Sequence, residues 1–95
     1  MTQTLASPYG VTGSVQVSFF GKIADQFGRT TTVEIPVGGC SLPWLKAQLA
    51  ARVDGGAEAL AERSLRTAID HLIIGEGAWI GSGQEVAFLS MFSGG

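Results

Sequence analysis

Ninety-five residues make room for one domain and exclude a second of independent size. Apolar residues are 45% and charged residues 15%, below the roughly 25% charged of an average soluble domain, which excludes disorder by excess charge for most of the chain. Six Lys plus Arg against eight Asp plus Glu leave a formal charge of -2 without any basic cluster, so neither nucleic acid nor an anionic membrane surface is an expected partner.

Residues 1–13 are polar and rich in Gly, Ser and Thr without periodicity, which predicts a loose leader or an edge extension rather than part of the core. Met1 to Gly10 has neither the basic start nor the apolar centre of a signal peptide, and no apolar run approaches the roughly 20 residues of a membrane span. A cytoplasmic protein is the expectation. From Ser14 to Phe20, Val15, Val17 and Phe19 alternate with Gln16, Ser18 and Phe20, the period of a half-buried strand. Ile23, Ala24 and Phe27 share one side of a short helical turn ended at Gly28. Thr30 to Ile35 is β-branched and alternating, and Pro36 stops it as a second strand.

Ser41 stands as an N-cap with Pro43 in the first turn, and Leu42, Leu45, Leu49 and Val53 recur at helical spacing. The pattern predicts one amphipathic helix, ended by Gly55-Gly56, with a further turn of helix or a loop-like joint over Ala57 to Arg63. Leu65 to Asp70 alternates as a third strand, Leu72-Ile73-Ile74 is a short fourth, Gly81-Ser82-Gly83 a turn, and Glu85 to Leu89 the last strand. The order ββαβββ predicts an α+β domain over residues 14–89, with one main helix packed on a mixed four- to five-stranded sheet, the β-grasp arrangement. Residues 90–95 form an expected C-terminal tail ending in Gly-Gly.

Chemistry-bearing side chains are few. One Cys and one His exclude an intramolecular disulfide and any soft-ligand metal set. Cys40 is a nucleophile or persulfide carrier by residue type, but a lone Cys before a helix reads first as a small buried hydrophobe. His71 has no nucleophile assignable to it by spacing. Gly75-Glu76-Gly77 and Gly81-Ser82-Gly83 open no helical pattern and read as turns rather than phosphate cradles. Trp44 and Trp79 read as core area before ligand contacts. The terminal Gly94-Gly95 is the informative feature: it carries no side chain, can enter a channel too narrow for a Cβ, and offers only the α-carboxylate of Gly95 as a chemical handle.

Phe19-Phe20-Gly21-Lys22-Ile23-Ala24-Asp25, the Gly28-Arg29 joint, the Leu-rich helix, Ala68-Ile69-Asp70-His71, and Gly83-Gln84-Glu85-Val86-Ala87-Phe88 leading to Gly94-Gly95 form a set. On these residues Ser14 to Gly95 resembles the MoaD/ThiS-type ubiquitin-like sulfur carriers, most of all the small, sulfur-carrying subunit of molybdopterin synthase. The resemblance implies that Gly95 is adenylated by an ATP-dependent, ubiquitin-activating-like enzyme and receives sulfur from a persulfide donor as a thiocarboxylate. It also implies delivery of that sulfur to a large catalytic subunit, with Gly94 as the side-chain-free approach and no cofactor bound by the chain itself. Phe20, Ile73 and Leu89 match positions that meet partners in the family, core packing being the competing reading. Met91 and Phe92 are the expected anchors of the tail. Small subunits of molybdopterin synthase usually carry prolines before the diglycine, whereas this chain has Ser90-Met91-Phe92-Ser93. Carriers that feed thiazole, cysteine or other sulfur-containing products, ubiquitin-like protein modifiers, and a plain β-grasp binding module with an inert tail are the alternatives.

Overall fold

Alternation places Val15, Val17 and Phe19 of the first strand, β1 (Thr12–Phe20), in the core, where each is at most 2% exposed. The structure, a computed structural model, describes residues 12–90. β1 thus starts two residues before the expected Ser14, because Thr12 and Gly13 pair with Pro36 and Ile35 of β2 (Thr30–Pro36). A 3-10 turn over Gly21–Ile23 and α1 (Ala24–Phe27) join the two antiparallel strands. This connection buries Ile23 and stacks the Phe27 ring on Phe19 at 4.9 Å between centroids.

The Ser41 hydroxyl accepts the Trp44 amide at 3.1 Å and caps α2 (Leu42–Ala50), satisfying one of the free N–H groups of the first turn. Leu42, Leu45 and Leu49 are the buried stripe. The helix stops before Val53, which the sequence pattern had included. Two residues past Ala50, the Arg52 guanidinium turns toward β2 and donates to the Thr31 hydroxyl at 3.0 Å and the Thr32 carbonyl at 3.3 Å. A short α3 (Gly56–Leu60) follows, starting one residue before the Ala57–Arg63 segment expected as helix or joint, and buries Leu60.

β4 (Arg66–Ile69), β5 (Leu72–Ile74) and β7 (Glu85–Leu89) complete a five-stranded sheet of order β2-β1-β7-β4-β5, in which β1 and β7 are parallel and the other pairs antiparallel. The core lies on one face, where Phe88, Val86, Val17 and Val33 meet the leucines of α2. Two further strands of two residues each, β3 (Cys40–Ser41) and β6 (Trp79–Ile80), pair antiparallel beside the main sheet. Trp44 packs half-buried against the core as expected, but Trp79 is 63% exposed, its indole N–H donating to the Gly38 carbonyl at 3.0 Å. No helix among the described residues is long and apolar enough to cross a membrane.

Candidate functional site at the end of the last strand

Parallel pairing brings the ends of β1 and β7 together, with Phe20 opposite Leu89. Both point away from the helix, since their neighbours Phe19 and Phe88 point into the core. Across β7, Leu89 faces Arg66, and in the next row Ser18, Ala87, Ala68 and Ile73 lie side by side. Phe20 and Ile73 are 54% and 61% exposed, and Leu89 is half-buried. The three residues expected to meet partners therefore share the helix-free face of the sheet, Phe20 and Leu89 in one row and Ile73 one row away. Burial of Ala68 on this face departs from simple alternation, because its methyl group sits low between Ile73 and Ala87.

Ser90 belongs to the folded body rather than to the tail in which the sequence placed it. Its amide donates to the Phe20 carbonyl at 2.9 Å, and its hydroxyl accepts the Ile23 amide at 2.8 Å. Both bonds need the two chains to approach closely at Gly21, which has φ +86 and where a Cβ would lie 2.6 Å from the Ser90 carbonyl oxygen. Glycine is the residue that tolerates both conditions. Neither Gly21 nor Ser90 stands among the site residues expected from sequence. The Phe-Phe-Gly ending of the first strand was the available signal, a glycine where an alternating apolar run breaks off.

An open groove of about 700 Å³ begins at this point. It is lined by the 21–23 turn, by Ala59 and Leu65, and by Ser90, with Lys22, Glu58 and Glu62 contributing charge. Ile23 is almost fully buried at its base, and Ala59 and Leu65 are half-buried. Its size falls within the roughly 300–1,000 Å³ range of ligand pockets. Met91, Phe92, Gly94 and Gly95 lie outside the described residues.

At the opposite end of β7, the two-residue β4–β5 turn holds Asp70 and His71 at φ 50 and 74. The Asp70 carboxylate accepts the Glu85 amide at 3.0 Å and the Gln84 side-chain amide at 2.9 Å, and the Gln84 carbonyl oxygen in turn accepts the Gly81 amide at 2.7 Å. The backbone bond from Glu85, then that from Gln84, hold the Asp70 carboxyl below the usual carboxylate range, with the nearby His71 adding to them. Its pKa is lowered on folding, so its contribution is full above the unfolded value near 4 and disappears as pH falls through the folded value. Asp70→Asn, which keeps one acceptor oxygen, should lower the urea midpoint at pH 7, and the gap to the unaltered protein should narrow below about pH 4. A gap that stays constant across that range would show that the charge contributes nothing. His71 faces Glu85 at 3.7 Å with both side chains exposed, an arrangement worth little at a surface.

Three solved structures share this architecture. The solution structure of the Haloferax volcanii HVO 2177 protein superposes with a TM-score of 0.72 at 17% identity, over 88% of each chain. The crystal structure of SAMP1 from Haloferax volcanii gives 0.66 at 22% identity, over 87% of this chain and all of that one. A crystal structure of Haloferax volcanii small archaeal modifier protein 1 gives 0.66 at 16% identity, over 84% and 99%. The fold is the ubiquitin-like β-grasp. No family model and no curated protein matches the sequence. In the β-grasp order β7, the last strand among the described residues, is central in the sheet: both its edges are paired, and the chain leaves the sheet from its middle at Ser90.

Proposed function

We propose that this chain is a sulfur carrier whose C-terminal Gly95 carboxylate is the working group, with Gly94 as its unobstructed approach. The supporting observation is the fixed position of Ser90: the last described residue is bonded to both Phe20 and Ile23, beside an exposed apolar sheet face. Five residues at about 3.3–3.6 Å each carry Gly95 up to about 18 Å from that point. A rigid β-grasp body docked through Phe20, Leu89 and Ile73 would confine the terminus to a small volume within a partner's active site.

The chemistry belongs to the partners. In an ATP-dependent, ubiquitin-activating-like enzyme, a Gly95 carboxylate oxygen attacks the α-phosphorus of ATP, releasing pyrophosphate and leaving an acyl-AMP. The terminal sulfur of a persulfide donor then attacks the acyl carbon and AMP departs. A thiol cleaves the resulting acyl disulfide, leaving a thiocarboxylate and a disulfide. Anhydride formation supplies the leaving group that a carboxylate lacks, and the thiocarboxylate sulfur is a strong nucleophile on a tether. The proposed acceptor complex contains a large catalytic subunit such as that of molybdopterin synthase. A second reading, a protein modifier that passes its activated Gly95 to a lysine amine, is favoured by the small archaeal modifier protein among the structural neighbours.

Intact mass after incubation with activating enzyme, ATP and a persulfide source separates these readings. Exchange of one oxygen for sulfur on the chain is the expected result, and an adduct to a second protein would favour the modifier. Deleting Gly95 should abolish either change while leaving the urea midpoint unaltered. Equal charging of the shortened chain would overturn the assignment of the terminus.

A further inference from the structure

The groove beside Ser90 has an apolar base of Ile23, Ala59 and Leu65, and the chain runs directly out of its wall. Successive Cα atoms are about 3.8 Å apart, so the two residues after Ser90 have their Cα atoms within roughly 7 Å of it, wherever the chain goes next. Those two residues are Met91 and Phe92, the only large apolar side chains between Ser90 and Gly95. We propose that the groove is the resting site of Met91 and Phe92, so that the C-terminal segment is held against its own domain until a partner displaces it.

Three features favour this occupant over a free ligand. Attachment at the wall gives the pair an effective concentration in the range of about millimolar or above, which a separate molecule would have to match. The base is apolar and Met and Phe suit it, the thioether adapting to irregular space and the ring supplying area. Glu58 and Glu62 outweigh Lys22 at the groove and make it unattractive to an acidic ligand, whereas residues 91–93 carry no charge. The same two side chains would then have two destinations, the chain's own groove and a partner's surface, and recruitment would be an exchange between them. This docking stands independently of the sulfur-carrier reading.

Amide NMR spectra of the full chain and of a chain ending at Ser90 provide the test. Removal of residues 91–95 should shift the amides of Ile23, Ala59 and Leu65 and leave those of Thr32 and Ile73 in place. The full-length double variant Met91→Ser, Phe92→Ser should reproduce the shortened chain. Unchanged groove amides on truncation, or a double variant that still matches the full chain, would overturn the proposal. So would groove shifts that grow with protein concentration, since the occupant would then be a second copy.

Discussion

Gly21→Ala should destabilise the protein by about 2–4 kcal/mol, combining positive-φ strain of about 1–3 kcal/mol with a steric clash at the end of β7. Gly83 supplies the control. It has φ +87, nearly that of Gly21, but nothing lies within 4 Å of a Cβ built there, whereas at Gly21 the Ser90 carbonyl oxygen is 2.6 Å away. Urea denaturation of both variants at matched pH should show Gly21→Ala costing at least about 1 kcal/mol more than Gly83→Ala. Hydrogen exchange at the Ser90 amide should speed up in the first variant and not in the second, because only there is the bond to the Phe20 carbonyl disturbed. Equal costs would mean that the approach of the two chains at residue 21 plays no part in fixing the exit.

Phe88→Ala should cost about 3–5 kcal/mol, out of a total of about 5–14 kcal/mol for a chain of this length. Phe88 is fully buried on the central strand, and its ring stacks at 5.8 Å on Phe19, which stacks in turn on Phe27. Truncation leaves a cavity between the sheet and α2 and removes the middle strand's support for the turn that carries Ile23. Phe88→Leu retains most of the volume and should cost less than about half as much. Thermal and urea midpoints measure both, and a loss below about 1 kcal/mol for the alanine variant would contradict the core described above.

The sheet strands with regular alternation were legible in the sequence, Val15-Val17-Phe19 and Val33-Ile35 most clearly, because burial of one face writes a period of two. So was α2, through Ser41, Pro43 and the leucine spacing. Its end was not: the last turn tightens at Arg52, whose amide bonds the Leu49 carbonyl three residues back while its guanidinium reaches β2, which is distant in sequence. Pairing of Cys40–Ser41 with Trp79–Ile80 was equally hidden, two residues being too short for any period. At the candidate site, Phe20 and Leu89 could be named from sequence, but their adjacency depends on parallel pairing of the first and last strands. Ser90 illustrates the same limit: a serine beside a terminal segment looks like tail until the carbonyl of Phe20 and the amide of Ile23 are found waiting for it.

Cys40 is 3% exposed, and burial pushes its thiol above the ordinary range. The sequence holds no other cysteine, so at neutral pH the folded polypeptide has almost no ionised sulfhydryl of its own. If the terminus carries the proposed thioacid, alkylating reagents applied to the native protein would accordingly meet little competition from the polypeptide's own sulfhydryl.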